Sequence, residues 1–98
     1  MKYIYHKVDG TTEEIVRETK LSLEEMQGLV DGYIEFAQLP NGHTLCLNEE
    51  GLMNDMPENP AFSYADLGWG PEMPGKLRGN IIEGQDVETE DDTEFQGF

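Results

Sequence analysis

The segment Pro40-Asn41-Gly42, set between Tyr33-Ile34-Glu35-Phe36-Ala37-Gln38-Leu39 and His43-Thr44-Leu45-Cys46-Leu47-Asn48, constrains this chain more than any other feature. Asn-Gly tolerates the positive φ angles of a tight turn, and both flanking runs are rich in β-formers. A hairpin is therefore expected over 33–48. Alternation sets Ile34 and Phe36 on one face of the first arm and Leu45 and Leu47 on one face of the second. One side of the ribbon then covers a core, and the other carries Glu35 and Thr44.

The flanking sequence supplies the remaining elements. Lys2 to Val8 is β-branched and aromatic and stops at Asp9-Gly10, which reads as a strand and a second hairpin. Its return arm is Thr12 to Glu18, although Glu13-Glu14 leaves a helix open there. Ser22 and Glu25 form a capping box, and Leu23, Met26, Gln27 and Val30 follow helical spacing until Asp31-Gly32. Leu52 to Gly75 is rich in Pro, Gly, Asn and Met and reads as irregular, weighted by Phe62, Tyr64, Leu67 and Trp69, with a helical turn around Ala61 to Asp66. Lys76 to Ile82 reads as a closing strand with Gly79 as a bulge or bend. From Glu83 onward only Val87, Phe95 and Phe98 are apolar, too few to offset the entropy of ordering. The expected fold class is α+β: residues 1–82 form a single domain, a small antiparallel sheet built from hairpins with one short helix, and 83–98 form a disordered acidic C-terminal tail.

Charge bears on function more than on fold. The chain has 21 acidic and 6 basic residues, a formal net charge of −15. Between Lys20 and Lys76 lie 55 residues with ten carboxylates and no lysine or arginine, and seven more acids fall in the last sixteen residues. Self-repulsion of this size opposes compaction and favours no particular fold, so a basic partner is expected, although a merely solubilising role stays open. Nucleic acid and anionic lipid would be repelled, so direct binding to nucleic acid or membrane is not expected. No apolar run approaches the ~20 residues of a membrane span. The N-terminus lacks the apolar stretch of a secretory signal, and the single cysteine, Cys46, forms no internal disulfide. The expected setting is an intracellular, reducing one.

No catalytic constellation emerges, and neither an enzyme nor a cofactor is expected. Cys46 and His43 are three apart on a strand and project to opposite faces, which leaves Cys46 as a small buried hydrophobe. His6 and His43 have no companions at zinc-ligand spacing. Glu49-Glu50 with Asn48, Asn54 and Asp55 is rich in oxygen but lacks the spacing of a calcium loop. No glycine-rich phosphate loop is present.

Gly32-Tyr33-Ile34-Glu35, Asn48-Glu49-Glu50-Gly51-Leu52 and Asn59-Pro60 follow one another as in a small domain of unknown function that recurs in proteins of bacteriophages and other mobile elements, and the chain resembles that family over about residues 22–82. The resemblance brings no activity and no catalytic residues. It implies a small accessory protein of a genetic parasite acting in a bacterial cytoplasm. Trp69 to Gly75 and the acidic tail fall outside the pattern.

Together the charge map and the resemblance predict a phage-type inhibitor. Its expected target is a host protein that handles nucleic acid, such as RNA polymerase or a restriction, CRISPR or repair enzyme, whose basic surface it would occlude partly as a nucleic-acid mimic. The expected contacts are Glu49, Glu50, Asp55 and Glu58 on the body and Asp86, Glu88, Glu90, Asp91, Asp92 and Glu94 on the tail, with Phe95 and Phe98 as apolar anchors. The tail alone imitates phosphate sparsely. Glu83 to Glu94 holds seven charges in twelve residues, or one per roughly 6 Å when extended, against about 3.4 Å along one DNA strand. The alternative is a sponge for a signalling nucleotide, with Tyr33, Phe36 or Trp69 stacking a base and phosphate contacts drawn from Lys2, Lys7, Arg17, Lys20, Lys76 and Arg78. A structural adaptor with no charge-dependent target is the third possibility.

Overall fold

Two hairpins stand where the sequence places them. The computed structural model, which describes residues 1–68 and 75–85, has β1 (Lys2–His6) paired antiparallel with β2 (Thr12–Val16). A helix, α1 (Leu23–Val30), follows, and then β3 (Ile34–Gln38) pairs antiparallel with β4 (Thr44–Asn48). Both hairpins use the same three-residue loop. Lys7 N donates to Thr11 O (2.9 Å) and Leu39 N to His43 O (2.8 Å), and the last loop residue, Gly10 or Gly42, takes φ +91° or +92°. The glycine thus serves one left-handed position after a turn, and the Asp9 or Asn41 side chain accepts from the backbone N–H two residues on, at 2.9 Å in each loop.

That loop length fixes the register and overturns the expected facing of the second hairpin. Phe36 lies opposite Cys46, Ala37 opposite Leu45 and Glu35 opposite Leu47. Directly opposed residues share a face, so Leu45 and Leu47 go with Glu35, and Ile34 and Phe36 go with Cys46. The arms therefore offer apolar residues on both sides, and both sides are covered.

The rest of the chain provides those covers. β5 (Glu58–Ser63), a short 3-10 turn (Tyr64–Leu67), β6 (Lys76–Arg78) and β7 (Ile81–Gly84) complete the described elements. Strand order in the main sheet is β2-β1-β7-β4-β3, with every neighbour antiparallel, while β5 and β6 form a separate ribbon. On one face α1 packs Met26 and Val30 against Tyr3, Tyr5, Ile34, Cys46 and Ile82. On the other, Leu45, Leu47 and Ile81 meet Tyr64 and Leu77 of the second layer. Helix, sheet and ribbon make three layers.

Several expectations are corrected here. The fold is mainly β, with seven strands in two sheets and one eight-residue helix among the described residues, not α+β. The stretch read as irregular conceals β5. Pro60 is tolerated because β5 has its one partner strand in β6 and the register shifts between Glu58 and Ser63, which spares the missing N–H a ladder position. The expected closing strand is two strands in different sheets, joined at Gly79 (φ +81°) and Asn80. β7 carries the main sheet to Gly84, two residues beyond the expected domain end at 82, so Glu83 is a sheet residue. The tail readings from Asp86 to Phe98, and those on Trp69, lie outside the described residues. No helix among the described residues is long and apolar enough to cross a membrane.

Candidate functional site

Chemistry gathers in two places. The first is Glu83, central in the sheet between β1 and β4. His6 Nε2 lies 2.8 Å from its Oε1 and His43 Nδ1 lies 2.8 Å from its Oε2, so the chain's two histidines share one carboxylate. The side chains are largely enclosed, at 18% exposure for Glu83, 14% for His6 and 35% for His43. His6 packs edge-on against Phe62 at 4.8 Å, and its Nδ1 is buried without a partner. Burial acts to raise the Glu83 pKa, but hydrogen bonds from His43 and then His6 outweigh it and hold the value below 4.5. The cluster is a strut across three strands. Each ring addresses its own oxygen, and no group of three or more His, Cys, Asp or Glu among the described residues is arranged to hold a metal ion.

Cys46 takes no part in this cluster. It lies fully buried on the helix side of β4, and burial pushes its thiol up to about 12, so it stays protonated. His43 is engaged on the opposite face.

The second place is the end of the β3–β4 pair. Ile34 lies opposite Asn48, so the residues before β3 and after β4 meet, and Glu49 N donates to Tyr33 O at 2.9 Å. Buried Asn48 organises the junction. Its Nδ2 donates to Val30 O and Asp31 O, each at 3.1 Å, and its Oδ1 accepts from Glu50 N at 2.7 Å. Gly32 stands so close that a Cβ would lie 2.7 Å from Asn48 Nδ2. Helix end, strand start and the 49–51 turn are thereby held together, and Tyr33, Glu49 and Glu50 are displayed from a fixed base.

This end is acidic and apolar at once. Tyr33, Leu52 and Met53 are exposed, and Glu35, Glu49 and Leu52 line a cleft of about 200 Å³ together with Leu47 and Leu77. Desolvation, and then the charge of Glu49, push the Glu35 pKa above 4.5. Arg78 also lines the cleft, but it is turned to Asp55 Oδ1 (3.2 Å) and Met56 O (3.0 Å).

The body residues expected to bind a partner therefore separate. Glu49 and Glu50 stand together at this end, and neither makes an ion pair among the described residues. Asp55 is paired with Arg78, and Glu58 accepts from Lys76 N at 3.4 Å. Glu35, Leu52 and Met53 were not singled out from sequence. The fixed register and the 49–51 turn bring them to this end, and neither shows in the residues themselves. The Glu83 strut was equally hidden, since its bonds join residues 77 and 40 positions apart.

Fold and site define a small three-layer, mainly-β protein with a carboxylate-rich, partly apolar end and a half-buried histidine–carboxylate strut. The chain matches the domain of unknown function DUF3846 over residues 1–96 and belongs to that family. The match is wider than the 22–82 span of the resemblance and takes in the first hairpin, the 69–75 stretch and nearly all of the acidic tail. No curated protein and no solved structure matches the chain.

Proposed function

We propose that this protein is an acidic binding module that docks on a basic, nucleic-acid-binding surface of another protein and occludes it, its carboxylates standing where phosphates would lie. The observation that carries this reading is the segregation of charge. At one edge of the sheet, Lys2 pairs with Glu14 (3.3 Å), Lys7 with Glu13 (3.4 Å) and Arg17 with Glu25 (3.4 Å), so these cations are already answered within the molecule. At the other edge the charge of Glu49 bears on half-buried Glu35, Glu50 follows next in the chain, and no ion pair among the described residues answers the three. Like charges held side by side weaken the free protein and are relieved when cations arrive, which favours association with a basic surface.

The phage and mobile-element resemblance supports a bacterial target of the nucleic-acid-handling class, an RNA polymerase or a restriction, CRISPR or repair enzyme, met in the host cytoplasm. The sponge reading loses support from the same geometry. Tyr33 stands among carboxylates, and Lys2, Lys7, Arg17 and Arg78 are paired elsewhere, so a nucleotide's phosphates would find repulsion there.

The test is capture from a bacterial lysate on the immobilised protein, elution by a salt gradient, and a nucleic-acid binding assay on what elutes. Elution at moderate salt of a protein whose nucleic acid is displaced by this chain supports the reading. Capture indifferent to salt, or a partner that still binds its nucleic acid, overturns it.

A further inference from the structure

We propose that Tyr33, Leu52 and Met53 form the anchor of a docking site for a basic amphipathic segment of a partner protein, one in which apolar side chains are flanked by lysine or arginine. This rests on the acidic-module reading above and specifies where and how the partner is held. The three side chains are 62%, 51% and 78% exposed, and they come from segments that the Tyr33–Glu49 bond and the turn after Glu49 bring to one end of the sheet. They are not on a loose loop. The turn bearing Leu52 and Met53 is closed by Asn54 N to Glu50 O (2.8 Å), Asp55 N to Leu52 O (3.2 Å) and Met56 N to Gly51 O (2.9 Å). Tyr33 is held by the Glu49 bond already described. Tyrosine is among the side chains that most often carry interface energy, methionine adapts to the shape of a partner, and the fixed backbone beneath them lowers the cost of ordering.

The occupant follows from the rim. Leu52 shares one cleft with Glu35 and Glu49, Tyr33 shares a second with Asp31 and Glu50, and the two clefts meet at Asn48; Glu35 is half-buried and feels the charge of Glu49. A second copy would bring the same carboxylates against themselves at a net charge of −15 each. Anionic lipid and nucleic acid meet the same repulsion. A protein segment carrying both cations and apolar groups satisfies rim and anchor together. Charge steers its approach and apolar burial slows its departure, so part of the affinity survives salt.

Two short peptides of equal length and charge, one of lysine and leucine and one of lysine and serine, distinguish anchor from charge when titrated into the full chain and followed by amide and methyl NMR. The lysine–leucine peptide is expected to bind about tenfold tighter, with shifts centred on Tyr33, Leu52 and Met53. The double substitution Leu52→Ser/Met53→Ser, at exposed positions, is expected to erase that advantage and leave lysine–serine binding unchanged. Equal affinity for the two peptides, or shifts centred elsewhere, overturns the anchor and leaves the acidic reading standing. Failure of both basic peptides to bind overturns both. A glutamate–leucine peptide binding as well as the lysine–leucine one overturns the basic partner, and concentration-dependent line broadening at these residues without peptide makes a second copy the occupant and overturns the proposal.

Discussion

At the residue scale, two buried asparagines do much of the organising. Asn48 ties helix end to strand end, and Asn59, fully buried, donates to His6 O (3.0 Å) and Gly79 O (2.9 Å) and accepts from Ala61 N (3.0 Å), fixing β5 to the main sheet. Asn48→Ala leaves Val30 O, Asp31 O and Glu50 N without their partner and is expected to cost roughly 2–3 kcal/mol in urea unfolding. A loss within error of zero would show that water replaces the amide. Glu83 and Glu35 make opposite predictions about acid. The folded pKa of Glu83 lies below 4.5, so the unfolded chain binds more protons as pH falls through that window, and its stabilisation is present above about 4.5 and lost below it. Glu83→Gln should lower stability at pH 7 and flatten the acid limb of the stability curve. The folded pKa of Glu35 lies above 4.5, so its ionisation opposes folding above that window. Glu35→Gln should raise stability at pH 7 and change nothing well below 4.5. Denaturant midpoints of the two variants across this range check both signs.

At the element scale, what could be read from the sequence was local. Both hairpins were legible because a glycine after a polar turn residue is a short-range signal, and α1 was legible because Ser22 accepts from Glu25 N at 3.1 Å in a capping box of the expected form. Ser22→Ala is expected to cost about 1 kcal/mol of stability, read as a lowered thermal midpoint; no change would mean that tertiary packing alone holds this short helix. The misread features were non-local. The facing of Leu45 and Leu47 depends on whether the loop has two or three residues, a distinction of one position that flips a whole strand. β5 escaped notice because Pro60 and Asn59 look like loop chemistry until a one-sided ribbon and a buried acceptor network give them a place. The carboxylate end is half legible: Glu49 and Glu50 stand out as a pair, while alternation alone puts Glu35 on the side away from the core with Thr44. Its neighbours come from the strand pairing.

At the scale of the whole molecule, the charge is distributed and not merely abundant. Acids near the first hairpin are paired with Lys2, Lys7 and Arg17, whereas at the β3–β4 end Glu49 bears on half-buried Glu35 and Glu50 follows it in the chain. A solubilising surface would have no use for this arrangement, since solubility depends on net charge more than on its location. Location is therefore the property to measure. Two variants remove the same number of charges, Glu35→Gln/Glu49→Gln/Glu50→Gln at the crowded end and Glu13→Gln/Glu14→Gln/Glu24→Gln at the first hairpin and helix. Each is compared with the unaltered chain for displacing nucleic acid from the captured partner at fixed salt. The account predicts that displacement collapses with the first set and persists with the second; equal loss in both, or loss confined to the second, would contradict it.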